Sequence, residues 1–331
     1  DRGLVYQNPF IYWYNHKNER SYDGPRYDAP DETVVVGGGL ASIDVVKILQ
    51  LENYERALKA RGIEVGMHDL ERKGIPAMCK SHGIRTEELG VKGCLLIYRR
   101  REQDMPLAQP PDNATPEQVA KTEGVRQKML RLAREKYLFR FQERRMATGL
   151  IVEEGRLAGL RVVETKVEGR RADPVPGSEQ ELRAPLVISS IGSVPEVIPG
   201  IARQGEYYTF LGEVLPQYAG SDHVFGVGNV VSGQGNIRVS QVHSQAVTTQ
   251  IVENYIGVGN GTADLSGWYA AAEARGAAQA AALQERVEAL PGLSESELAA
   301  LEQRIRALQQ RAGYLAGYDS WIAAETPADL E

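Results

Sequence analysis

Apolar residues recur along this chain in short blocks of two kinds, and the kinds alternate. Residues 33–36 read Thr-Val-Val-Val, break into Gly37, Gly38 and Gly39, and give way to apolar positions at helical spacing, with Ile43, Val46, Ile48 and Leu49 on one face. A short β-branched run bounded by glycines predicts a buried strand, and spacings of three and four predict an amphipathic helix. The charged stretch 51–90 predicts further helix, interrupted at Gly62, Gly66 and Gly74-Ile75-Pro76. A second strand is predicted at 93–98, through Cys94-Leu95-Leu96-Ile97-Tyr98, and it ends on Arg99-Arg100-Arg101. After the proline-containing loop 105–117, the pattern predicts a helix over 118–136 and a strand at Tyr137-Leu138-Phe139-Arg140-Phe141. Alternation over 149–168 predicts a β-hairpin turning at Gly155-Arg156.

Leu186-Val187-Ile188-Ser189-Ser190-Ile191-Gly192 predicts another buried strand. Val224-Phe225-Gly226-Val227-Gly228-Asn229 repeats its form and leads through 232–235 into a helix near 241–255. Residues 1–32 are aromatic and polar and predict a short helix followed by a turn-rich connector. From about residue 264 the chain becomes rich in Ala, Glu, Gln, Leu and Arg, and Leu298, Leu301, Ile305, Leu308, Ala312 and Leu315 fall at alternating spacings of three and four. Pro291-Gly292 separates that helix from the one before it, which predicts an antiparallel helical hairpin. Its apolar seam packs either on its own domain or on a dimer mate or partner.

Composition narrows the class. The 331 residues hold about two domains, and 42% hydrophobic with 25% charged residues is ordinary for a globular protein. A net charge of −6 leaves no basic excess to neutralise nucleic-acid phosphates. No apolar run of about eighteen residues occurs, so no membrane span is expected. The chain opens Asp1-Arg2-Gly3, without an initiator Met or a signal peptide, and is expected to begin inside a longer gene product. Cys79 and Cys94 are too few and too far apart for a disulfide framework, a CxxC pair or an iron–sulfur site, and read as buried residues of a reduced cytoplasm. The five histidines lack metal-ligand spacing, so no metal site is expected.

The glycine turn carries the candidate chemistry. Gly37-x-Gly39-x-x-Ser42, between a strand and a helix, lets backbone approach a pyrophosphate, and Gly38, Leu40 and Ala41 complete the turn and helix start. Arg99 and Arg100 stand at the end of the next strand, where an NAD enzyme would place a carboxylate on the ribose hydroxyl; guanidinium groups there suit a 2′-phosphate. The ligand expected is NADP(H). No side chain is expected to act as a catalytic acid or base, because the cofactors carry such chemistry.

The segment Gly37-Gly38-Gly39-Leu40-Ala41-Ser42-Ile43-Asp44-Val45-Val46-Lys47 resembles the NADPH segment of the two-dinucleotide-binding flavoproteins. Tyr98-Arg99-Arg100-Arg101-Glu102-Gln103-Asp104-Met105-Pro106 and Ile188-Ser189-Ser190-Ile191-Gly192-Ser193-Val194-Pro195-Glu196 are similar to the small subunit of NADPH-dependent glutamate synthase. Phe10-Ile11-Tyr12-Trp13-Tyr14-Asn15 and the helical insertion before the second strand resemble adrenodoxin-type ferredoxin–NADP reductases. The resemblance runs from about residue 8 to 256 and does not separate the two branches.

The resemblance implies an α/β fold with a Rossmann-like NADP-binding domain at 33–197 and the C-terminal part of a FAD-binding domain at 198–260. A helical hairpin tail follows at 261–331, and 1–32 is a connector from a first FAD half-domain. No strand-GxGxxG-helix precedes Thr33, and 32 residues are too few for a βαβ unit plus the rest of that half. Members of the family place a glycine-acid pair on the FAD ribityl chain; here the matching pair is Gly228-Asn229, whose amide accepts a hydrogen bond without charge assistance. By the same resemblance Gly235, Asn236, Ile237 and Arg238 lie at the flavin's pyrimidine edge. It implies the cofactors NADP and FAD, and a ferredoxin-like or iron–sulfur electron-transfer partner, with a further chain as one source of the first FAD half. The lack of CxxC argues against thiol–disulfide reduction. Two other readings stay open: a simple NADP-dependent dehydrogenase, and a non-catalytic assembly or scaffold subunit that keeps the folds.

Overall fold

The computed structural model describes residues 3–19, 21–111, 113–205, 207–212, 214–232, 237–257, 266–314 and 317–326. The chain divides into two compact units, Asp1–Gly192 with Ala316–Glu331, and Ser193–Leu315.

In the first unit, β1 (Leu4–Tyr6) runs directly into α1 (Gln7–His16). Then follow β2 (Val34–Gly37), α2 (Leu40–Lys59), α3 (Met67–Lys73), α4 (Ile75–Ser81), β3 (Leu95–Ile97), α5 (Pro116–Tyr137) and β4 (Arg140–Gln142). A meander of β5 (Arg145–Glu153), β6 (Arg156–Glu168), β7 (Arg171–Pro174) and β8 (Gln180–Arg183) precedes β9 (Val187–Ser190). The central sheet has the order β1-β9-β2-β3-β4, and every neighbouring pair in it is parallel. Strand alternation sends Val35, Leu96 and Ile188 to one face, where they pack with Phe10, Val45 and Leu49 of α1 and α2. Val34, Leu95, Ile97 and Val187 go to the other face and pack on Leu157, Leu160 and Val162 of β6. Helices thus cover one face and the antiparallel meander covers the other.

Several boundaries differ from the sequence pattern for local reasons. Residues 1–32 contribute more than a helix and connector: Leu4–Tyr6 pair in register with Val187–Ser189, and Phe10 and Trp13 are buried. Helix α5 runs to Tyr137 and stops where Leu138 turns left-handed at φ 59°, its N–H donating to the Arg134 carbonyl. The strand predicted from Tyr137 therefore begins only at Arg140. The meander's first hairpin turns at Glu154-Gly155, with φ of 51° and 72°, as a two-residue loop requires. Cys79 and Cys94 are buried, and burial pushes both thiols up.

The second unit contains short antiparallel pairs, β10 (Arg203–Gln204) with β11 (Tyr207–Tyr208) and β12 (Phe210–Leu211) with β13 (Gln217–Tyr218). Its helices are α6 (Asn229–Ser232), α7 (Ile237–Gln250), α8 (Ser266–Glu288) and α9 (Glu295–Arg311), while α10 (Tyr318–Glu325) groups with the first unit. The strand expected at 224–229 does not form: Phe225 makes a single bridge to Gln217, and Gly228 at φ +68° turns the chain into α6. Helix α7 starts at Ile237, earlier than the pattern suggested, and relaxes into a π-helical turn over Ile251–Tyr255. Neither α8 nor α9 buries a residue, so the seam of α9 is not packed on its own domain among the described residues.

Candidate nucleotide site

Strand β2 ends at Gly37 between β9 and β3. The chain leaves β2 toward β3 and later returns on the opposite side as β9, which makes the crevice between β2 and β9 a topological switch point. The three glycines at its mouth serve different ends. A Cβ on Gly37 would lie 2.2 Å from the Ser190 carbonyl oxygen and 2.3 Å from Ser42 Oγ, so a side chain there would part β2, β9 and α2. A Cβ on Gly38 would lie 2.3 Å from Cε2 of Tyr98, whose ring covers that side of the turn. A Cβ on Gly39 would meet nothing within 4 Å.

Gly39 is the N-cap of α2 and makes no side-chain cap. The Ser42 and Ile43 N–H groups donate to its carbonyl, whereas those of Leu40 and Ala41 have no backbone acceptor among the described residues. The positive end of a 20-residue helix therefore opens onto free space beside Gly39, the arrangement that accepts a phosphate. Ser42 does not share in it. Its side chain is buried, and its hydroxyl donates to Ser190 Oγ at 2.9 Å, with Ser190 Oγ donating in turn to Gln7 Oε1. The Ser42 side chain clamps α2 to β9.

The two candidate arginines separate as well. Arg99 is exposed, its carbonyl is held by the Thr165 hydroxyl at 2.6 Å, and its guanidinium has no partner among the described residues. Arg100 Nη2 instead lies 3.3 Å from Asp104 Oδ1 and donates to the Gly169 carbonyl at 3.3 Å. Arg101 grips the same carboxylate through Nε (2.9 Å) and Nη2 (3.0 Å). Burial alone would raise the Asp104 carboxyl, but the Arg101 hydrogen bonds and the Arg100 charge outweigh it and hold the group below its ordinary range. Arg100 thus helps to shape the loop after β3 through Nη2, while its buried Nε has no hydrogen-bond partner and the exposed Arg99 guanidinium is unpaired among the described residues.

In the second unit, the Gly228 N–H donates to His243 Nδ1 of α7 at 2.9 Å. Asn229 is exposed at the first position of α6, and Ile237 and Arg238 are exposed at the start of α7. Gly235 and Asn236 lie outside the described residues.

No family model matches this chain, and no curated protein matches it. Among solved structures, a point mutant of FprA from Mycobacterium tuberculosis superposes with a TM-score of 0.51 at 18% identity, over 80% of this chain and 62% of that one. FprA of the same organism in complex with NADPH superposes with a TM-score of 0.50 at 17% identity, over 78% of this chain and 60% of that one. The fold is that of FprA. The chain spans about three fifths of the length of those FprA structures. The Rossmann-like α/β architecture implied by the sequence resemblance is the one observed.

Within this FprA fold, sequence reasoning passed over three residues that build the turn. Tyr98, Asp104 and Ser190 were visible as letters of the two motifs, but the contacts of Tyr98 to Gly38 and of Ser190 to Ser42 bring together positions on different elements, while Asp104 binds Arg101 within one turn. The spacing of Asp104 three and four residues after Arg101 and Arg100 was the one signal that could have shown the arginines to be shared.

Proposed function

We propose that this protein is an NADPH-dependent FAD oxidoreductase that exchanges electrons with a ferredoxin-like or iron–sulfur partner. The observation that carries the reading is the uncapped N-terminus of α2 opening beside Gly39, with the unpaired Arg99 guanidinium on the neighbouring strand's end. Leu40 and Ala41 N–H groups hold the pyrophosphate, Arg99 takes the 2′-phosphate, and Tyr98 backs the turn so that the ligand meets a rigid wall. Residues 33–197 form the NADP domain in this reading, and 198–260 belong to the FAD domain, with Gly228 and Asn229 on the ribityl chain. FAD, when bound, supplies a hydride acceptor that can pass electrons on singly.

The residues in hand fit the nucleotide better than the flavin. The Leu40 and Ala41 N–H groups beside Gly39 face open space and have no backbone acceptor among the described residues, whereas the Gly228 N–H is taken up by His243. A first FAD half contributed by polypeptide outside residues 1–331, in the same or another chain, completes the flavin site in this proposal. Among the described residues no helix is long and apolar enough to cross a membrane, and a cytoplasmic location accords with the reduced state expected of Cys79 and Cys94.

The test is a titration of the purified chain with NADPH and NADH, followed by flavin absorbance of the full-length gene product. Tight, NADPH-selective binding and flavin bleaching by NADPH are expected. Binding of neither nucleotide would overturn the reading in favour of a scaffold subunit.

A further inference from the structure

The hairpin of β6 and β7 overhangs the carboxyl end of β3. Strand β5 starts there, with the Arg145 N–H donating to the Tyr98 carbonyl and the Arg144 N–H to the Arg100 carbonyl, both at 2.9 Å. Because β6 runs antiparallel to β5 and sets Glu164 opposite Arg145, its last residues continue past that point, at the edge of the sheet where open α/β folds take their ligands. Two contacts tie the hairpin to the loop after β3. The Thr165 hydroxyl donates to the Arg99 carbonyl at 2.6 Å, and Arg100 Nη2 donates to the Gly169 carbonyl at 3.3 Å. Glu168 lies opposite Arg171, so Gly169-Arg170 is a two-residue turn, with Gly169 at φ 56°. Arg170 therefore stands at the hairpin tip, beside the residue that Arg100 holds.

The charges along this edge leave two arginines over. On the hairpin, Lys166 pairs with Glu168 at 2.8 Å and Arg171 with Asp173 at 2.7 Å. At the start of β5, Arg145 pairs with Glu164 at 2.7 Å, and Arg144 Nε lies 3.6 Å from Glu143. After β3, Arg100 and Arg101 share Asp104, and the Glu102 carboxylate accepts from Gln127 of α5 at 3.0 Å. Arg99 and Arg170 are both exposed, and neither has a partner among the described residues. Two segments tied together, each with one guanidinium that no carboxylate neutralises, suit a doubly charged anion. Resting on the NADPH reading above, we propose that Arg170 is a second specificity-determining arginine for the 2′-phosphate. It approaches the phosphate from the hairpin tip, as Arg99 does from the end of β3. The meander that covers one face of the sheet thereby takes part in choosing the nucleotide.

The experiment is calorimetric titration of the purified full chain with NADPH, NADH and adenosine 2′,5′-bisphosphate. Arg170→Ala should weaken NADPH and the bisphosphate about threefold to tenfold and leave NADH nearly unchanged. Its melting temperature should hold, because Arg170 has no protein partner to lose, and Arg170→Lys should recover part of the affinity. Arg171→Ala removes the same charge one residue further on, from a side chain already paired with Asp173, and should leave the preference for NADPH in place. Unchanged NADPH affinity in Arg170→Ala, equal losses for NADPH and NADH, or an equal effect of Arg171→Ala would each overturn the proposal. If Arg99→Ala lowers NADPH selectivity and Arg170→Ala does not, the hairpin's role fails while the NADPH reading stands. If the wild type binds neither nucleotide, both fail together.

Discussion

The ring of Tyr98 lies against Gly38, so close that a Cβ on the glycine would sit 2.3 Å from Cε2 and 2.4 Å from Cδ2. The ring is held in place from its far end, where Oη donates to the Asp104 carbonyl at 3.1 Å. Gly38→Ala should therefore displace the ring, lower the melting temperature and weaken NADPH binding about tenfold. In the double variant Gly38→Ala with Tyr98→Leu, much of the lost melting temperature should return, because the clash is gone. A thermal-melt double-mutant cycle that came out additive would refute the contact's importance.

Gly37 and Gly39 should behave oppositely on substitution by alanine. At Gly37 the new methyl group meets the Ser190 carbonyl and Ser42 Oγ, both fixed in the packed crevice, so stability should fall by about 2 kcal/mol or more. At Gly39 the backbone has φ −87° and ψ 178° and the methyl group enters open space, so the melting temperature should hold while NADPH affinity drops. Denaturant melts alongside nucleotide titrations separate these outcomes. Unchanged affinity in the Gly39→Ala variant would remove the phosphate from that site.

Arg99 and Arg100 differ in kind despite being neighbours. Arg99→Ala should weaken NADPH by on the order of tenfold while leaving NADH and stability nearly unchanged, because its guanidinium has no partner to abandon. Arg100→Ala should cost about 1–2 kcal/mol of stability, since Asp104 loses one of its two arginines and the Gly169 carbonyl loses its donor. Equal loss of NADPH and NADH on removing Arg99 would exclude a 2′-phosphate contact.

Asp104 should make the first unit acid-sensitive. Its carboxyl is held below the ordinary range in the folded protein, so the stabilisation it gives is present above its unfolded value, about pH 4, and is lost as pH falls through the folded value. The difference in melting temperature between wild type and Asp104→Asn should be constant near neutrality and narrow in acid. A gap that stayed constant down to about pH 3 would show that the Arg100 and Arg101 pairs contribute nothing.

The sequence alone determined the elements that depend on local pattern. A β-branched run, three glycines and a helical stripe can hardly be read another way, so β2, its turn and α2 were legible, as were β3, α5, β9 and the hairpin of β5 and β6. Candidate ligands were legible only by position along the chain: Gly39, Leu40, Ala41 and Arg99 stayed open to a ligand, whereas Ser42 and Arg100 were claimed by protein partners. Only the tertiary structure could decide that, because Ser190 lies 148 residues from Ser42 and a side chain's availability depends on what the fold places beside it. It also decided that Leu4–Tyr6 pair with β9, three residues too short to announce themselves, and that the seam of α9 buries none of its side chains among the described residues. Periodicity shows which face of an element is apolar. What that face meets is settled by contacts between residues far apart in the chain.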